Sequence, residues 1–502
     1  MKLRNTTMRM DAGDFSPSLC FASSRSAPGL GRRNRRTADG LQFFAGQPGE
    51  GKCCARGRAR SGGSILIIVL WVALGLVSIA LYFANQMAFE LRASDNRVSG
   101  LVADQAIEGA ARYVGYALQN FATNGAVPVS SQLSCEAVPI GDGKFWLLGR
   151  DPSGKNSTEP YFGLVDEGGK LSLNNSSTNV LQFLPNMSAD FSEAILDWRG
   201  TNGSLASDYT SAGYQSKYAP FETVDELRLV SGATVELLAG EDLNRNGILD
   251  RSEKDLNSNG ELDPGVFEST TVYTREPNFH ADGTSLTNVN TITEAQFRSL
   301  FQNAGTAGAT SMARQIHRTI HPPGSARTLP CNGALDFALR CKNAGMSSDD
   351  FNKIAANVTT STNTYFRGRV NLNTAKMDVL TAIFMGANVD ESTAESAAQT
   401  LINYREQNPG GLASIAWIID ALGNNSPVVT ALARGNTVTT HSYQFTADIA
   451  AVGAFGRGYR RVKFIFDVSD GSPKILYRQD LSRLGWALGE KARENLVAKN
   501  TQ

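Results

Sequence analysis

No charged residue stands between Arg60 and Glu90, and within that gap residues 65–84 (ILIIVLWVALGLVSIALYFA) are 20 positions of almost unbroken apolar sequence. A helix of that length rises about 30 Å, the thickness of a bilayer's hydrocarbon core. The chain is therefore expected to enter a membrane once, near its start. Charge sets the direction. Residues 1–60 carry twelve basic and four acidic groups and the remainder 36 and 44, so a net charge of zero divides into a +8 head and a −8 body. Arg56, Arg58 and Arg60 crowd the N-terminal flank of the span. The positive-inside rule keeps that head cytoplasmic and exports the body. An acidic body argues against nucleic acid as its partner.

A cleaved secretory signal would have a shorter apolar region, about 7–15 residues. Here the run continues into MAFELRASDNRVSGLVADQAIEGAARYVGYALQNFA (residues 87–122), which contains no Pro. Leu91, Val98, Leu101, Val102, Ile107, Ala110, Ala111 and Val114 recur there at helical spacing. One helix over 64–122 is predicted, its first part in lipid and its second amphipathic. Residues 1–50 show no hydrophobic period and are rich in Arg, Gly and Ser, so they are expected to be disordered.

The exported body reads as α+β. Residues 143–173 alternate apolar and polar between Gly-rich turns, as do residues 436–480, so both ends supply short antiparallel strands. Residues 176–432 between them are mainly helical and loop-like. Within them 371–423 resembles a helix-hairpin-helix, its first helix capped by Asn373 or Thr374. The turn Met385-Gly386-Ala387-Asn388-Val389 lacks the second Gly of phosphate-binding hairpins, and only Lys376 and Arg405 flank it. A partner-contacting or structural helical pair is expected there, not a DNA surface.

Asp242-Leu243-Asn244-Arg245-Asn246-Gly247-Ile248-Leu249-Asp250-Arg251-Ser252-Glu253 fits the calcium-loop pattern D-x-[DN]-x-[DN]-G-x5-E at every position. Calcium takes six to eight hard oxygens at about 2.3–2.6 Å. Asp242, Asn244, Asn246, Asp250 and Glu253 offer side-chain oxygens, Ile248 its carbonyl, and Gly247 the sharp bend. A structural Ca²⁺ is expected here. A second copy begins 13 residues later with Asp255, Asn257, Asn259, Glu261 and Asp263, but its twelfth position is Val266 and Pro264 interrupts it. Three readings stay open for it: a half-filled site, one sharing ligands with the first, or a turn.

Cys135, Cys331 and Cys341 lie beyond the span. The short separation of Cys331 and Cys341 predicts a disulfide in an oxidising exterior, with Cys135 free. His317 and His321 are spaced i, i+4, but Arg318 stands where a zinc protease needs Glu, so a packed or solvated pair is expected. No nucleophile motif, phosphate-binding loop or dinucleotide fingerprint occurs in the sequence, and no catalytic residue is assigned.

Gly63-Ser64 after a basic stretch, followed by the apolar run and the amphipathic helix, resembles a class III prepilin signal. The body adds YFGLVDEGGKLSLN (161–174), ILDWR (195–199), YAPFETVDELRLVSG (218–232) and VNLNTA (370–375). In this order they resemble the minor pseudopilins of type II secretion systems, K type (the general secretion pathway protein K family). Cleavage after Gly63 and methylation of Ser64 by prepilin peptidase are then implied. Position five of the mature chain is Ile68, where most pilins carry Glu, and that absence is a mark of the K type. The 63-residue basic leader is longer than the family's usual leaders.

The resemblance implies a fold. The leader (1–63) is followed by the N-terminal transmembrane and filament helix (64–122). A small pilin-like antiparallel sheet is formed from 123–175 and 433–490, a large helical domain (176–432) is inserted into it, and a tail (491–502) follows. It further implies a non-enzymatic, single-pass protein of a bacterial inner membrane, its N-terminus cytoplasmic and its body periplasmic. Such a protein sits at the tip of a pseudopilus that assists protein export. Its partners would be other minor pseudopilins through the helix, prepilin peptidase, and secreted substrate or an outer-membrane channel. The rival readings are a minor type IV pilus component, or a membrane-anchored calcium-binding adhesion or interaction protein.

Overall fold

The structure is a computed structural model that describes residues 62–151, 158–200, 203–324 and 327–500. Residues 1–61 of the expected leader lie outside the described residues. Two compact units are present, one ending at Ser78 and one spanning Ile79–Gln502. Helix α1 occupies Gly62–Phe121 and is, among the described residues, the one helix long and apolar enough to cross a membrane. The apolar side chains from Ile65 to Phe83 are exposed along it.

The body is α+β, as its sequence predicts. Six strands form an antiparallel sheet among the described residues: β1 (Val138–Ile140), β2 (Gly143–Leu148), β3 (Val165–Asp166), β4 (Gln444–Val452), β5 (Arg460–Asp467) and β6 (Lys474–Asp480). Their order is β1-β2-β4-β5-β6, with β3 pairing the start of β4. Strands from the two ends of the body are thus direct neighbours, and a long middle segment enters and leaves between them.

Strand periodicity divides the sheet's two faces. On one, Phe145, Leu147, Phe445, Ala447, Ile449, Ala451, Val462, Phe464 and Phe466 pack against α1. The helix answers with Ala103, Ala106, Ile107, Ala110, Ala111, Val114, Ala117 and Leu118, at i, i+3, i+4 spacing. Its many alanines let the backbone lie close to the sheet. Leu91, Val98 and Leu101 belong to the same sequence pattern but are exposed, so the packed stripe begins later than the pattern does. Ser99 sits where two glycines leave room: a Cβ on Gly453 would come within 2.1 Å of the Ser99 carbonyl oxygen, and one on Gly458 within 2.4 Å of its carbonyl carbon.

The rear face is part apolar and part polar. Trp146, Leu148, Ala450 and Val452 pack with Ala487 and Leu488. The expected tail is a helix, Gly489–Asn500, whose Ala492 and Leu496 join that cluster. Beside it Gln444, Thr446, Asp448, Arg461 and Asp467 are buried polar residues. The middle segment has its own core, running from Leu171 through Phe297, Phe337 and Phe384 to Val438. Two-residue parallel pairings tie it back to its ends: 171–172 with 270–271, and 370–371 with 438–439.

Candidate cation loops and the motif junction

The first loop folds around Asp242. Its Oδ1 accepts the N–H of Asn246 at 2.9 Å and its Oδ2 that of Gly247 at 2.8 Å. Gly247 has φ +84°, a conformation that favours glycine. Glu253 reaches back to accept the N–H groups of Asn244 and Asp250, each at 3.0 Å. Asp250 Oδ2 receives the side-chain amides of Asn244 at 2.5 Å and Asn246 at 2.9 Å. Asp242, Asn244, Asn246 and the Ile248 side chain are buried.

The second loop repeats the first with a 13-residue offset. Asp255 accepts the N–H groups of Asn259 at 3.2 Å and Gly260 at 2.8 Å. Asp263 Oδ2 receives Asn257 at 2.5 Å and Asn259 at 3.3 Å. The Glu261 N–H donates to Asn259 Oδ1 at 2.8 Å, as that of Ile248 donates to Asn246 Oδ1 at 3.0 Å. Asn257, Asn259 and Glu261 are exposed. The closing acid, missing at the twelfth position, comes from in front of the first loop. Buried Glu241 accepts the N–H of Leu256 at 2.5 Å and of Asp263 at 3.0 Å. It takes the position-nine N–H as Glu253 does in the first loop, with its other bond one residue earlier, and linear spacing gave no signal of it.

The donor set fits a hard cation: every candidate ligand atom is oxygen. The Asn244 Oδ1 is buried with no hydrogen-bond partner, the state of an amide oxygen awaiting a cation. Burial raises the proton affinity of Asp242, against the pull of Arg150. Burial, then the charges of Asp242 and Asp250, raise that of Glu253. A divalent cation would relieve this crowding of negative charge. Among the described residues no group of three or more His, Cys, Asp or Glu is gathered to hold a metal, so the loop carboxylates do not converge on one point while they accept N–H donors.

The first loop lies on the rear face of the sheet. The fully buried Arg461 of β5 donates two hydrogen bonds to Asp448 of β4, at 2.9 and 2.6 Å. It donates two more to the carbonyls of Asn244 at 2.5 Å and Arg245 at 2.7 Å. Arg150, just beyond β2, also reaches the Arg245 carbonyl at 3.1 Å and grips both oxygens of Glu268 at 2.9 Å. Arg245 pairs with Asp225 at 3.0 Å, and its guanidinium lies 4.1 Å from the Phe267 ring centroid. Asn246 Nδ2 donates to the Ala487 carbonyl at 3.3 Å.

The family-like motifs meet in space. Asp166 of the VDEGGK motif accepts Asn371 Nδ2 at 3.0 Å and Ser442 Oγ at 2.7 Å, and also Thr374 Oγ1. Burial raises the Asp166 pKa against these donors. Glu167 takes Lys170, Thr271 and Thr446 at 2.8, 2.5 and 2.6 Å. Asn373 and Thr374 do not cap the hairpin's first helix, which starts later, at Met377, after Lys376. Instead Asn373 ties together Leu412, Thr440 and Trp417, so those two side chains serve the junction.

Cys135, Cys331 and Cys341 are free, buried thiols, so the expected Cys331–Cys341 bond is not formed. Cys341 lies on the buried face of a helix, Ala334–Asn343, and Cys331 just before its start. His317 and His321 share one helix end, their rings 4.7 Å apart, and burial and then His321 hold the His317 pKa down. Gly63 and Ser64, the expected processing residues, are helical in backbone.

No protein-family model and no curated protein matches the chain. Among solved structures the chain is similar to one from the GspK-GspI-GspJ complex of the enterotoxigenic Escherichia coli type 2 secretion system. The likeness covers 75% of this chain and 96% of that one, at 10% identity and a TM-score of 0.36.

Proposed function

We propose that the chain is a non-enzymatic minor pseudopilin of the K type, anchored by α1 in a bacterial inner membrane. In this reading its body stands in the periplasm, at the tip of a pseudopilus that assists export. The observation that carries the reading is the interrupted sheet. Strands from 138–166 and 444–480 close on one long N-terminal helix, and the helical segment between them has a core of its own. That is the arrangement implied by the prepilin-like start and the body motifs. Ile68 at mature position five supports the tip. An unpaired carboxylate in an apolar filament core is costly, and the topmost subunit has no neighbour above to neutralise. The exposed stripe of Leu91, Val98 and Leu101 suits packing against the helices of other minor pseudopilins. Prepilin peptidase would cut after Gly63 and methylate Ser64.

Calcium belongs to the same reading. Asp242, Asn244, Asn246, Ile248, Asp250 and Glu253 would hold one structural Ca²⁺. Asp255, Asn257, Asn259, Glu261 and Asp263 would hold a second, with Glu241 as its closing acid.

The test is the mature N-terminus, read by mass spectrometry on protein from isolated membranes. A peptide beginning at N-methylated Ser64 is expected. An intact leader, or cleavage beyond Ala84, would remove the pseudopilin reading.

A further inference from the structure

Six loop residues supply the ligands of the first cation site, but they do not hold their own backbone in place. The carbonyls at loop positions three and four, Asn244 and Arg245, point to guanidinium groups from the sheet. Four of the five N–H bonds of Arg461 are accounted for, two on Asp448 and two on those carbonyls. Arg150 adds a third bond to this pair, and its side chain lies under Gly247, where a Cβ would come within 3.0 Å of Arg150 Cδ. Arg245 has φ +58°, a backbone state disfavoured for a side-chain-bearing residue and sustained by its surroundings. The Asn244 Oδ1, beside these fixed carbonyls, is buried and unpartnered.

The cost of placing two cations behind a cation site is offset locally. Asp448 neutralises Arg461, and Glu268 neutralises Arg150.

We infer that Arg461 and Arg150 are positioning residues for the first cation site, and that calcium occupancy and docking of the loop on the rear of the sheet are one coupled equilibrium. Coupling of this kind is reciprocal. What tightens the dock tightens calcium, and calcium in turn stiffens β4 and β5, more than 190 residues away in sequence. The ion would then fasten the inserted segment to the pilin-like sheet. This inference rests on the calcium reading of the loop.

The experiment uses the full chain in detergent micelles, with CaCl2 or EGTA. Hydrogen exchange of the wild type should show calcium-dependent protection in residues 444–467 as well as in 242–253. Arg150→Met should weaken calcium binding at the first site about tenfold in a calorimetric titration. The variant leaves Glu268 a partner in Lys376, at 2.7 Å, so it removes the loop contact without stranding a buried carboxylate. Arg461→Lys should shrink the calcium-induced rise in Tm, whereas a merely structural role would lower Tm equally with and without calcium. Protection confined to 242–263, together with an unchanged Kd in Arg150→Met, would overturn the inference. Absence of any calcium binding by the wild type would instead sink the calcium reading, and the inference with it.

Discussion

The carboxylate of Glu241 accepts the backbone N–H of Asp263 at 3.0 Å, as that of Glu253 accepts the N–H of Asp250 at the same distance. One acid immediately precedes the first loop and the other is its last residue, yet each closes one loop. If both loops hold calcium, the closing acids are separable. Glu241→Gln should reduce the calcium stoichiometry from two to one, and the pair Asp242→Ala with Glu253→Ala should leave the other one. Equilibrium dialysis or calorimetry reads this directly. Full stoichiometry in Glu241→Gln would show that the second loop needs no closing acid.

Calcium removal should lower stability by an amount set by mass action. At about 1 mM Ca²⁺ and a Kd of about 10⁻⁴ M, one site contributes about 1.4 kcal/mol. In a unit of this size, Ile79–Gln502, that is a fall of about 2 °C in Tm on adding EGTA. Excess CaCl2 should reverse it, and Asp242→Ala with Glu253→Ala should abolish most of it. An equal Tm with EGTA and CaCl2 would contradict structural calcium.

Much of the fold was legible because its signals are local. The charge gap and apolar run announce α1, and period-two alternation announces β2, β4 and β5. The first loop announces itself because its candidate ligand residues all fall within twelve successive positions. What stayed hidden depends on partners distant in sequence. Arg461 reads as an ordinary polar residue on a strand, and only the fold puts it against Asn244, 217 positions away. Glu241 precedes the loop that its partner Glu253 closes, so no spacing rule reaches the second one. Asn373 and Thr374 look like caps by position, but Asp166 and Trp417 compete for their side chains and win. The spacing of Cys331 and Cys341 suggests a bond, whereas both are free, buried thiols in the structure.

The Asp166 junction should be costly to cut. Its carboxylate satisfies three side-chain donors from two distant segments, all buried or half-buried. Asp166→Ala leaves those donors unpaired, for an expected loss of about 2–4 kcal/mol. Ser442→Ala removes one donor and should cost about 1 kcal/mol. Chemical denaturation of the body measures both. Equal effects of the two variants would mean that Asp166 is not the hub.

The Asp225–Arg245 pair gives a pH signature. Burial works against the Asp225 carboxylate, but Arg245, then Lys463 and Gln479, hold its pKa down to about 2. A group depressed on folding stabilises above its unfolded pKa of about 3.9, and that stability is lost as pH falls through the folded value. The loss therefore falls between about pH 4 and pH 2. Allowing for solvent at this part-exposed site, it amounts to about 1–2 kcal/mol. Asp225→Asn should flatten the acid limb of the stability profile over that window, measured by denaturation at fixed ionic strength. An unchanged acid limb would assign the loss to other carboxylates.

The thiols offer the last test. Burial pushes the Cys331 thiol up to about 12 and that of Cys135 to about 11, and raises Cys341 well above its ordinary value. The thiolate is the species that attacks a disulfide or an alkylating reagent, so all three should be inert in the folded body. Iodoacetamide at pH 8 should leave Cys135, Cys331 and Cys341 unmodified in the native protein and label all three once it is unfolded. Non-reducing peptide mapping should find Cys331 and Cys341 unlinked. A linked peptide from protein kept native throughout would restore the bond suggested by their spacing.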